Sequence, residues 1–471
     1  IPGNPLSPLS RLSVENWRSL PDRIIELPGV MNMPTFNMFS GYLDASDSKK
    51  LHYWLNECTN SNSNVLLVWY NGGPGCSSLD GFFVEHGPYK FNKVNGDLEE
   101  NPFSWNKLAH TLYIESPAGV GFSYDSNPSH IYNDSITAQE NLHALESFFI
   151  KFPTYRNKDL YLSGESYAGV YVPALASAIV QQNTWMARNL RGLLIGNGLM
   201  HFEYNQASLI YFAYYHGLFD RRSWTELHRA CCPSASKRCM FNAIMESDCR
   251  VEILKVEELV WNNGINVYNL YSPCMTESQR ELSKLNSFRS LFTETALEEP
   301  FLGDSILEMR KPMSERSLSL VPPCTDASVV TDYLNRADVQ AALHVRETNW
   351  QICSDVIHGE YDRQVLDTGP YIQRILDTLD VRIFLYFGDV DMACNFMGGE
   401  WFVNGLGYEV EKTRRLWRTP DENGNPQVVG FYKQFDRLIY ATVLGAGHMV
   451  PMDKPRVAYT MVERYLNDEP L

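Results

Sequence analysis

Short apolar runs recur along the 471-residue chain, each set between helix-length segments of mixed polarity. Val65–Tyr70, Thr111–Glu115, Leu160–Ser163, Leu190–Ile195, Ile383–Phe387 and Ile439–Leu444 are rich in aliphatic and aromatic residues, the pattern of strands buried on both faces. Strands alternating with helices predict an α/β fold with a mostly parallel, doubly wound sheet. The pattern changes between about Leu199 and Pro322, where the chain is helix-like and cysteine-rich, and the alternation resumes near Asp326. One sheet interrupted by an insertion is the economical reading: core over 1–198, an inserted cap over 199–322, and core again over 323–471. Within the cap, Ala296–Ser319 is dense in alternating charge and carries Arg310, Lys311 and Arg316, as an exposed, protease-accessible loop would.

Composition narrows this picture without changing it. At 44% hydrophobic and 20% charged residues the chain can bury a core. No apolar run reaches the roughly 18 residues of a membrane span. The chain starts at Ile1 rather than Met, so a signal peptide is expected to have been removed or left out. Lys+Arg 40 against Asp+Glu 56 leaves a net charge of −16, which argues against nucleic acid and anionic membranes as partners. Of the ten cysteines, Cys231, Cys232, Cys239 and Cys249 cluster as zinc ligands can. No histidine follows at ligand spacing, and adjacent cysteines are not a C-x-x-C. With the Asn-Asp-Ser sequon at Asn133, the cluster reads better as disulfides of a secretory-pathway protein.

Three stretches carry candidate chemistry. In LYLSGESYAGVYVP a strand runs into Gly164-Glu165-Ser166-Tyr167-Ala168 and then a helix-like segment. This approximates the G-x-S-x-G nucleophile elbow, with Ala168 in place of the second glycine. IFLYFGDVDMACN places Asp389 and Asp391 after a strand, and TVLGAGHMVPMDKP places His448 in a glycine-rich turn after the last strand. Ser…Asp…His is the order of an α/β-hydrolase triad, in which histidine takes the serine proton and a carboxylate holds the histidine tautomer. Spacing alone leaves Asp389 and Asp391 as alternatives. A fourth stretch, VWYNGGPGCSSLDG, spends Gly72, Gly73, Pro74 and Gly75 directly after a strand. Glycine contributes nothing to packing there, so the turn serves backbone geometry or close approach.

Together NGGPGCSSLDG, ESPAGVGFSY, GESYAGVYVP, GDVDMACNFMG and GAGHMVP resemble the serine carboxypeptidases, from about Arg23 to Leu466. The FAYYHGL and the paired cysteines of the insertion resemble the lysosomal members most; residues 1–20 have no counterpart. The resemblance implies an α/β-hydrolase fold with a disulfide-rich, largely helical cap, and a Ser166–Asp391–His448 triad. It implies an oxyanion hole from the N–H groups of Gly73 and Tyr167, and Asn71, Glu85 and Glu165 around the substrate's terminal carboxylate. Two adjacent carboxyls resist double ionisation, so the glutamates are expected to share a proton and to favour activity in acid. It also implies bridges Cys76–Cys353, Cys231–Cys249, Cys232–Cys239 and Cys274–Cys324, with Cys394 a buried thiol near the site and Cys58 left over. The expected activity is release of C-terminal, preferably apolar, residues from peptides without metal or cofactor. The resemblance further implies a lysosomal homodimer (secretion being the second choice), made as one chain and activated by cleavage near 296–319. Two alternatives stand beside it: an acyltransferase of the same fold, and a stabilising partner of other lysosomal hydrolases.

Overall fold

The computed structural model describes residues 21–92, 96–127, 131–182, 185–232, 239–241, 247–261, 264–274, 324 and 327–471. Ala296–Ser319, the expected cleavage loop, lies outside them. Among the described residues thirteen strands form: β1 (Met38–Asp44), β2 (Lys49–Asn56), β3 (Val65–Tyr70), β4 (Tyr89–Phe91), β5 (Leu98–Glu100), β6 (His110–Ile114), β7 (Tyr124–Asp125), β8 (Asp159–Glu165), β9 (Leu190–Gly196), β10 (Arg382–Gly388), β11 (Lys412–Pro420), β12 (Pro426–Phe435) and β13 (Leu438–Val443). All but the β4–β5 hairpin belong to one sheet, ordered β1-β2-β6-β3-β8-β9-β10-β13-β12-β11, with β7 on β2.

The middle six strands, β6 to β13 in that order, pair in parallel and are the six apolar runs of the sequence. Period-two alternation sends successive residues of β3 to opposite faces. Leu66, Val68 and Tyr70 enter a core shared with α1 (Asp134–Lys151) and α2 (Ala168–Gln181). Leu67 and Trp69 enter a second core with Phe82, Trp105, Trp350 and Tyr465. Both faces are covered, as a parallel sheet requires. Antiparallel β1 and β2 extend one side, and β12 and β11 the other.

Chain order reverses at β3: β6 lies on one flank and β8 on the other. Such a switch point opens a crevice beyond the carboxyl ends of the strands. In the insertion, α3 (Phe202–Tyr215), α4 (Arg221–Cys231) and α5 (Ser247–Trp261) share a smaller core containing Phe212, Leu227, Phe241 and Val256. Met392 from the loop after β10 is buried in that same core, so the insertion packs directly on the sheet's carboxyl edge.

Candidate active site

Ser166 sits between β8 and α2 with φ 61°, a conformation few non-glycine residues adopt. The elbow explains its small neighbours. A Cβ on Gly164 would strike the Tyr70 carbonyl, and one on Gly169 would come 2.6 Å from the Leu199 nitrogen. Gly72 presses on the elbow from β3: a Cβ there would meet the Tyr167 nitrogen, and would lie 2.7 Å from Ser166 Cβ. The following Gly73 has φ 112°. Among the described residues, the N–H groups of Gly73 and Tyr167 donate to no acceptor. Two uncommitted amides beside a strained serine can stabilise an oxyanion.

His448 and Asp391 meet on loops beyond β13 and β10. His448 Nδ1 lies 2.8 Å from Asp391 Oδ2, and both side chains are buried. A carboxylate only accepts, so Nδ1 carries the proton and Nε2 is left as an acceptor. Asp391 also accepts from Asn197 Nδ2 at 2.8 Å, the Ala393 N–H at 2.9 Å and the Cys394 N–H at 3.1 Å. Asp389, the alternative, instead accepts from the Gly445 N–H at 2.6 Å. Cys394 lies near both halves, close enough for the Ser166 side chain and the Asp391 charge to act on its thiol. Burial, then the nearby Asp391 and Glu165 charges, pushes that thiol well above the ordinary range, so it does not compete as a nucleophile.

A second group of carboxyls lies under the turn. Glu85 and Glu165 are 1% and 4% exposed, which excludes a solvated surface role for either. Glu165 Oε1 accepts from Asn71 Nδ2 at 3.0 Å, while Asn71 Oδ1 accepts from Trp69 Nε1 at 2.7 Å and the Gly81 N–H at 3.1 Å. Neither oxygen of Glu85 has a well-formed bond to an N–H or O–H donor. Its carboxyl faces that of Glu165, and between two carboxyls only a shared proton makes a hydrogen bond. Both are driven well above the carboxylate range, by burial first and then by neighbouring negative charge. Asp80 stands beside them; burial raises it to about 7, against the opposing pull of His448.

Cysteine pairs join Cys76 to Cys353, Cys231 to Cys249, Cys232 to Cys239 and Cys274 to Cys324, while Cys58 and Cys394 are buried and free. Asn133 is the N-cap of α1, its side-chain oxygen accepting from the Ile136 N–H at 2.8 Å. Three neighbours of the site escaped the sequence reading. Asn197, which holds Asp391, also accepts from the Gly388 N–H at 3.0 Å; only the Gly-Asn-Gly after β9 signals it. Asp80 sits in the glycine-turn motif but lacks a distinguishing spacing. Tyr268, from the insertion, packs its ring at a tilt against His448, 4.6 Å between ring centroids, and its carbonyl accepts the His448 backbone N–H at 2.7 Å. Nothing in its local sequence marks it.

A family model described as serine carboxypeptidase matches residues 28–468. The chain is 42% identical to lysosomal protective protein of Mus musculus, over 100% of both chains. It is 34% identical to the serine carboxypeptidase ctsa-4.1 of Caenorhabditis elegans, covering 95% of this chain and 93% of that one. The solved structure of KEX1(DELTA)P, a prohormone-processing carboxypeptidase from Saccharomyces cerevisiae, superposes with a TM-score of 0.70 over 94% of each chain at 24% identity. That likeness is one of fold, the α/β-hydrolase fold.

Proposed function

Because the chain belongs to the serine carboxypeptidase family, we propose that it releases C-terminal residues from peptides through an acyl-enzyme on Ser166. His448 takes the Ser166 proton as the serine attacks the last peptide carbonyl, and Asp391 stabilises the resulting imidazolium. The Gly73 and Tyr167 N–H groups hold the oxyanion, each worth about 3 kcal/mol. His448 then returns the proton to the departing amine, and water repeats the sequence on the ester.

The observation that carries exopeptidase action, rather than ester or internal peptide hydrolysis, is the buried Glu85–Glu165 pair held by Asn71 beside the elbow. Sharing a proton, the pair donates a hydrogen bond to a substrate carboxylate; fully ionised, it repels one. Activity on free peptides is therefore favoured in acid, which agrees with residence in the lysosome, the location named for the mouse relative. Silencing by the insertion until cleavage near 296–319 is part of the same reading.

Labelling with a fluorophosphonate, followed by mass mapping, tests the nucleophile: modification of Ser166 is expected, and modification of another serine overturns the assignment. Incubating an N-blocked dipeptide with an added alcohol separates hydrolysis from acyl transfer. Release of the free amino acid with the blocked acid as main product supports the peptidase. The blocked ester as main product supports the transferase.

A further inference from the structure

The motif ESPAGVGFSY places no residue among the groups assigned above, yet its first member is a buried carboxylate as densely bonded as Asp391. Glu115 follows β6 and is 0% exposed. Its Oε1 accepts from Trp350 Nε1 at 3.0 Å and from the Ser77 hydroxyl. Its Oε2 accepts from His52 Nδ1 at 2.8 Å and the Phe122 N–H at 2.9 Å. Four donors from four separate segments converge on one side chain. Gly121 makes room: a Cβ there would overlap the Glu115 carboxyl. His52 is held from behind by Ser40 Oγ at 2.8 Å from Nε2.

Ser77 makes this more than a structural knot, because it belongs to the turn that carries Gly73. Ser77 N–H donates to the Ile352 carbonyl at 2.7 Å, Ser354 N–H to the Gly75 carbonyl at 2.9 Å, and Cys76 is bonded to Cys353 between them. The turn is thus clipped to the 352–354 segment, and Trp350 of that approach is itself anchored on Glu115. Both walls of the clip end on one carboxylate.

We propose that Glu115 is a positioning residue for the oxyanion turn, acting through Ser77 and Trp350 to fix where the Gly73 N–H points. This rests on the oxyanion role given to Gly73 above. A displaced donor weakens the bond to a developing oxyanion more than any bond in the ground state, because the oxyanion bond depends steeply on distance and angle. Ser77→Ala severs the link while leaving the backbone clip in place. Glu115→Gln turns an amide nitrogen toward either Trp350 Nε1–H or the Phe122 N–H, both of which only donate.

The test compares a peptide aldehyde, which forms a tetrahedral adduct with the serine, with the matching peptide alcohol, which forms none. In the parent protein the aldehyde binds more tightly. In Ser77→Ala, kcat falls about tenfold to a hundredfold with KM nearly unchanged. Aldehyde affinity falls by a similar factor, and alcohol affinity stays within twofold. Glu115→Gln, where it folds, moves the same way. Ser77→Ala with parental kcat and aldehyde preference overturns the proposal, as does equal loss of aldehyde and alcohol affinity. A parent that binds both alike overturns instead the oxyanion reading on which it rests.

Discussion

Two acidic sites lie side by side in this crevice and are built in opposite ways. Asp391 receives four donors: a carboxamide, two backbone N–H groups and an imidazole. Glu85, as deeply buried, receives no well-formed bond from an N–H or O–H group and faces another carboxyl. Burial is common to both, so burial does not decide what a carboxyl does. The supply of donors does. A carboxylate surrounded by donors orients a histidine, and a carboxyl deprived of them, set against a second carboxyl, keeps a proton with which to greet a substrate.

Exchanging acid for amide at each site breaks the comparison open. Asp391→Asn should lower kcat by about 10⁴-fold, because its NH₂ either meets the donating N–H groups or forces the wrong imidazole tautomer. Steady-state kinetics on an N-blocked dipeptide, with circular dichroism to verify folding, measures it; a loss under tenfold would mean that Asp391 does not orient the base. Glu85→Gln/Glu165→Gln should instead remain active within about tenfold in acid, since Gln still donates to a carboxylate.

The pH profile sharpens the contrast. Both glutamates are raised by burial first, then by negative charge from Asp80 at Glu85 and from Glu85 and Asp80 at Glu165, so their shared proton is lost as pH rises. Above that transition kcat/KM on free peptides should fall about tenfold per pH unit, while C-terminally amidated substrates persist further toward neutrality. The double Gln variant should flatten the fall. Identical profiles for both substrate types in the parent would refute the shared proton.

Asn197→Ala removes one donor from Asp391 and leaves three. It should cost about tenfold to a hundredfold in kcat, the worth of a hydrogen bond to a charged group. An unchanged kcat would show that three donors suffice. The smallest effect belongs to Asp80, raised by burial from 3.8 to about 7. Between those pH values the folded state holds a proton that the unfolded state releases, so stability falls as pH rises through this window. Asp80→Asn should therefore raise Tm at pH 7 by about 1–3 °C and leave it unchanged at pH 4. Equal shifts at both pH values would assign the gain to packing instead.

Much of this was readable in the chain because the signals were local. The six central strands announce themselves as apolar runs, and the elbow, acid and base follow strand ends in a fixed order. The flanking strands were missed because their polar residues are satisfied only by tertiary partners. Lys49, His52 and Asn56 make β2 look like loop, yet they bond to Glu140, Glu115 and Thr111 from other elements. β11 presents Arg414, Arg415 and Arg418 to solvent, as an edge strand does to discourage further pairing. Asn197, Asp80 and Tyr268 went unread for the same reason: what each does depends on a neighbour distant in sequence.

The Cys76–Cys353 bridge also divides the molecule as a circuit. It closes a ring spanning 277 residues, with Ser166 inside and Asp391 and His448 outside. Any single break between positions 166 and 353 places the nucleophile on one chain and its acid and base on the other. The catalytic apparatus then becomes a two-chain object whose halves share one sheet but are joined covalently by sulfur alone. Opening the backbone there leaves one covalent body, whereas opening the backbone and the bridges yields two, neither of which holds a complete triad.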